Sequence, residues 1–187
     1  MLRNSAFLIL GLGLIIVQSN LFRLVGWINV VMEEVAGGSA VAGLTPSLLL
    51  PLIVFMGVHE YNMTRGAGLS FALGYLLDVF AAAPIGLYTF TSVAVFVVSR
   101  LAGVRLAAQT LPTKIALAFV FSLLEGFFIV VLTAIFGTDP ARPRALASLV
   151  LPHAVATALF APFVLGLANR VHLTTVIVPR PGEVPNA

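Results

Sequence analysis

From Ile115 to Phe136 the chain carries a single ionisable group, Glu125, in an otherwise apolar run. A helix needs about twenty apolar residues to cross a hydrocarbon core roughly 30 Å thick. Runs near that length recur along the chain and read as six spans, at residues 6–24, 44–62, 66–83, 86–106, 112–136 and 146–170. The expected fold class is therefore an all-α integral membrane protein with about six transmembrane helices. A single polytopic domain covers residues 1–170, and residues 171–187 form a short cytoplasmic tail. Composition agrees: about 9% of residues are charged, against roughly 25% in a soluble domain.

Gly37, Gly38 and Gly43 break the first loop, and Pro84 with Gly86 makes a tight turn between the third and fourth spans. Thr45-Pro46 and Leu111-Pro112 place proline where a helix should begin. Pro51, Pro152 and Pro162 fall inside spans and are expected to bend them. Arg3 ahead of an apolar core resembles a signal peptide, but no small-x-small cleavage site follows, so the first segment is taken as a retained span.

Lysine and arginine set the orientation. With the N-terminus inside, Arg3, Arg65, Arg100, Arg105, Lys114, Arg170 and Arg180 lie on the cytoplasmic side. Arg142 and Arg144, beside Asp139, fall outside and oppose the trend. The balance favours both termini in the cytoplasm, with Glu33 and Glu34 in the outer loop and Trp27 near the outer interface. The basic residues sit at segment ends as topology signals, so no nucleic-acid partner is implied.

Several chemistries are excluded. With no cysteine in the chain, disulfides, thiolate catalysis and cysteine-ligated metals are absent. No phosphate-cradling glycine loop, nucleophile elbow or metal-spaced His/Glu cluster occurs. The expectation is a non-enzyme without cofactors.

The ionisable groups inside spans are the informative residues, because such groups are costly and face protein or a wet cavity. Gly66, Ser70, Gly74 and Asp78 recur every fourth residue, with Ala82 extending the row, and so share one helix face. Small residues at that spacing let helices approach closely. Asp78 also falls in the last turns of its helix, where the macrodipole disfavours an acid, so a partner is required. Arg23, at similar depth in the first span, is the candidate ion-pair partner. Asp78 is read first as a joint between helices, second as a contact with another protein, and third as a proton or ligand site. Glu125 and His153, on adjacent antiparallel spans, are placed to meet across their interface, either as a paired polar contact or as a proton relay. Gln18 and Asn20 are candidates for interhelical hydrogen bonds. Asn62-Met63-Thr64 matches a glycosylation sequon but faces the cytoplasm in this topology.

The run GAGLSFALGYLLDVFAAAPIGLYTFTSVAVFVVSRL, Gly66 to Leu101, resembles the signature region of the bacterial rod-shape-determining protein MreD family. The shared features are a glycine-spaced helix with an acid near its end and a Pro-x-Gly turn into another span. Here these are Gly66, Gly74, Asp78, Pro84 and Gly86. The sixth span, with proline in its first half, is similar to the family's closing helix, whereas Glu125 departs from the pattern. The resemblance implies a non-enzymatic scaffold of the cell-elongation machinery in the inner membrane. It would bind MreC and so link MreB filaments to peptidoglycan synthases of the RodA and class B penicillin-binding-protein type.

The family's fold is similar to the substrate-binding S component of energy-coupling-factor vitamin transporters, which supplies the alternative function. The first span has Gly11 and Gly13 but lacks the alanine pair such components use for coupling. A small proton-coupled transporter, built on Asp78, Glu125 and His153, is the third reading.

Overall fold

Caps and prolines fix where the helices begin. The computed structural model describes residues 2–36, 45–59, 62–81, 84–102, 110–137 and 142–175. Among these residues there are helices and no strands: α1 (Leu2–Ala36), α2 (Leu49–Val58), α3 (Met63–Phe80), α4 (Leu87–Leu101), α5 (Leu111–Phe136) and α6 (Arg142–Thr175). Asn62 starts α3, its side-chain oxygen accepting from the Thr64 N–H at 3.3 Å. This residue, flagged as a sequon, is a helix cap. Before α5, the Thr113 hydroxyl accepts from the Thr110 N–H at 3.2 Å. Pro112 occupies the first turn, where a missing N–H costs nothing.

The helices α1, α5 and α6 are long and apolar enough to cross a membrane, over Asn4–Leu21, Pro112–Phe136 and Pro143–Thr175. Two boundaries differ from expectation. The first helix continues without a break to Ala36, so Glu33 and Glu34 belong to it and not to a loop. The last helix starts at Arg142, taking in Arg144, and runs through Thr175, past the expected tail boundary at residue 170. Pro143 falls in its first turn, and Pro152 and Pro162 are inside it. The expected loop glycines 37, 38 and 43, Ala82, and residues 176–187 lie outside the described residues.

The largest departure is the expected span 44–62. Its helix is only Leu49–Val58, ten residues, or about 15 Å at 1.5 Å per residue. Residues 45–48 are not helical. Pro46 disfavours helical backbone at Thr45. Pro51 then sits in the first turn of α2, where no N–H is needed, and so does not bend a span.

All ten residues of α2 are buried. A helix apolar on every side belongs at the centre of a protein, and the packing agrees. α1 packs on α3, α3 on α4, α4 on α5, α5 on α6, and α6 back on α1, closing a ring. Each of the five also touches α2. The core is α2 with the inward residues of the ring: Phe7 and Ile15, Leu73, Val95 and Phe96, Phe121, and Val164. Because α2 is short, it fills one end of the ring and leaves space at the other.

Candidate functional site: the α3–α4 hairpin and the axial cavity

The stripe on α3 faces α4. Gly66, Ser70, Gly74 and Asp78 are all buried. A Cβ on Gly66 would collide with the Phe96 ring. One on Gly74 would stand 2.7 Å from both the Thr89 Cα and the Tyr88 carbonyl oxygen, so the two backbones meet there. Small residues every fourth position thus make an internal seam, already occupied by α4, with no room for a second protein on that face. Ser70 lies in the seam fully buried, its hydroxyl without a hydrogen-bond partner among the described residues.

Asp78 completes the seam. Its carboxylate is 1% exposed and accepts from the first turn of the following helix. Oδ2 takes the Gly86 N–H at 2.9 Å, the Thr89 N–H at 3.2 Å and the Thr89 hydroxyl at 2.6 Å, and Oδ1 takes the Tyr88 N–H at 2.7 Å. The first N–H groups of any helix lack internal partners, and the dipole there favours an anion. Asp78, near the end of α3, therefore caps the start of α4 with its carboxylate from eight to eleven residues away, Gly86 at the N-cap position having no side chain to do so. Gly86 has φ +102°, a left-handed value suited to glycine, and the Leu87 N–H donates to the Pro84 carbonyl at 3.1 Å. These two residues turn the chain tightly enough to bring α4 back onto Asp78.

Arg23 was the expected partner, and the structure corrects this. Among the described residues Asp78 has no ion pair with Arg23, which is exposed and lines the cavity described below. Four donors already satisfy the carboxylate, so no cation is needed beside it.

Above α2 the ring borders an open cavity of about 1220 Å³. Its apolar wall includes Leu77, Phe80, Ile129 and Leu149, and its polar surface includes Gln18, Ser47, Tyr88, Glu125 and His153. The non-helical residues ahead of α2 form its floor, and neighbouring side chains satisfy their backbone. The Ser47 N–H donates to the Thr157 hydroxyl at 2.9 Å, and the Leu48 N–H donates to Gln18 Oε1 at 2.9 Å. The Ser47 hydroxyl donates to Glu125 Oε1 at 3.4 Å. Irregular backbone among apolar helices persists only where such partners exist.

Glu125 and His153 do come together: Nε2 and Oε2 are 3.8 Å apart. That separation suits an ion pair when the imidazole is protonated and is too long for a hydrogen bond. Of the other polar residues in α1, Gln18 bonds across to the residues leading into α2, whereas Asn20 bonds within its own helix to the Ile16 carbonyl at 2.8 Å. Ser47 and Thr157 complete the floor without having stood out in the sequence. The available signal was Thr45-Pro46-Ser47 followed by Pro51, which marks an interrupted helix.

At the opposite end of α2, His59 stacks on Phe55 with ring centroids 3.8 Å apart, and His172 stands 5.6 Å from His59. A smaller cavity of about 260 Å³ lies beside them, lined in part by Lys114 and Asn169. Among the described residues no three His, Asp or Glu side chains group as a metal site. Comparison with protein-family models, with curated proteins and with solved structures gives no match.

Proposed function

We propose that this protein is a non-enzymatic scaffold of the bacterial cell-elongation machinery, of the MreD type. It lies in the inner membrane, crosses it six times and keeps both termini in the cytoplasm. Its partners are MreC and, through MreC, MreB filaments, RodA and a class B penicillin-binding protein. One observation carries the reading. The residues that give the resemblance, Gly66, Gly74, Asp78, Pro84 and Gly86, all belong to one hydrogen-bonded hairpin and each has a geometric task in it. That these residues act together in one local structure supports reading them as a motif.

The second crossing is made by α2 together with the residues before it. About 15 Å of helix and up to about 13 Å of non-helical chain from residues 45–48 together approach the thickness of a bilayer core. With the α3 seam filled, partners dock on outward faces. A flank of α3 about 100° round from the seam carries Phe71, Tyr75 and Val79 at every fourth position, 56%, 47% and 57% exposed. Such a stripe suits the single span of a protein like MreC, since packing drives association in lipid. Depleting the protein in its own cells is expected to round them and disperse MreC from the lateral wall. Unchanged rods with unchanged MreC would refute the reading.

The axial cavity favours a second reading, a substrate-binding S component of a vitamin transporter. That reading predicts purification with a bound vitamin, and a small proton-coupled transporter predicts pH-dependent uptake into vesicles.

A further inference from the structure

Of the cavity's lining residues described, Glu125 carries a buried polar atom left without a hydrogen bond. Glu125 is 7% exposed, and its Oε2 has no hydrogen-bond donor among the described residues. The nearest nitrogen, His153 Nε2, stands off at 3.8 Å. A buried carboxylate oxygen left without a donor is costly. The nearby donors from the segment ahead of α2 are engaged elsewhere: the Ser47 hydroxyl is on Oε1, and the Ser47 and Leu48 N–H groups are on Thr157 and Gln18. His153, about a quarter exposed, lines the cavity beside Glu125. A donor atom about 2.8 Å from each of two atoms fits between a carboxylate oxygen and a ring nitrogen at this spacing.

The cavity above this point holds about 1220 Å³, more than the roughly 300–1,000 Å³ of ordinary small-molecule pockets. Its lining is mainly aliphatic and aromatic, with fewer polar groups. We propose that the cavity binds an amphipathic small molecule whose head places an N–H or O–H donor between Glu125 and His153 and whose apolar body lies along Leu77, Phe80, Ile129 and Leu149. An acidic head placed beside Glu125 would meet repulsion from its carboxylate, although Arg23 lines the same cavity farther from the floor. A bare hydrocarbon chain would leave the oxygen unpaired. The site rests on the cavity alone, so it stands or falls separately from the scaffold role.

The test uses the full chain in nanodiscs, titrated with decylamine, decanol and decanoate, with bound probe counted by native mass spectrometry. Decylamine or decanol is expected to saturate at one molecule per protein, with decanoate at least tenfold weaker; the amine and alcohol arms tell which donor the head carries. Glu125→Gln should weaken the amine about tenfold, the scale of losing a charge-assisted hydrogen bond. Val130→Trp, which fills the cavity without touching Glu125, should abolish saturable binding of every probe. Circular dichroism checks both variants, and Leu146→Trp, on another wall of the cavity, or Glu125→Ala replaces one that does not fold. Equal binding of all three probes, or binding untouched by the tryptophan, overturns the site. Loss with tryptophan but none with glutamine overturns the assignment of the head to Glu125.

Discussion

Replacing Asp78 by alanine removes the acceptor that the first turn of α4 shares. Three backbone N–H groups and the Thr89 hydroxyl lose their partner at once. Thr89 is buried, so its two donors meet the full penalty for an unmet polar group, about 1–3 kcal/mol each. Gly86 and Tyr88 are only partly buried, and water relieves some of theirs. Allowing for relaxation of the helix end, the loss is about 3–5 kcal/mol, above the ~1 kcal/mol typical of a single local cap. Thr89→Val removes one bond and should cost about 1 kcal/mol. In the double variant its effect should vanish, because the acceptor is already gone. Arg23→Ala should change stability by less than about 0.5 kcal/mol, as for any exposed charge. Unfolding in mixed dodecyl maltoside and dodecyl sulfate micelles, followed by circular dichroism, measures all four. A loss below about 1 kcal/mol for Asp78→Ala, or an equal loss for Arg23→Ala, would refute the capping argument.

Other outcomes follow from the same geometry. Gly74→Leu should separate α3 from α4 and cost more than about 2 kcal/mol in the same assay, since its Cβ would press on Thr89 and Tyr88 backbone. Gln18→Leu strands the Leu48 N–H and should cost about 1–3 kcal/mol, with faster hydrogen exchange at Leu48. The chain has no cysteine, so single cysteines can be introduced cleanly. In whole cells, one at Ile85 should react with an impermeant maleimide and one at Met63 should not. The reverse labelling would invert the proposed orientation.

The lengths of the apolar runs at 112–136 and 146–170 made α5 and α6 legible, and four-residue spacing placed Gly66, Ser70, Gly74 and Asp78 on one face. The partner of Asp78 was harder to read because attention to charge suggested an arginine. Unmet N–H groups at a helix start are equally good partners for a carboxylate, and the short Pro84–Gly86 turn was the clue to their proximity. The run 44–62 misled for a different reason. Hydropathy reports whether a segment avoids water, and a short helix enclosed by five others avoids it as fully as one facing lipid. Nothing in the apolar count of α2 distinguishes these cases. The cavity follows from that shortness, so it was not legible either, although Glu125 and His153 were marked as a pair.

The central claim is that this chain holds MreC, and co-purification addresses it most directly. Tagged protein drawn from its native membrane in mild detergent should retain MreC. A Phe71→Ala/Tyr75→Ala variant, altered only on the exposed face of α3, should fold normally and lose it. If the native chain emerges folded and free of MreC, or if the double variant retains MreC in full, the account is contradicted.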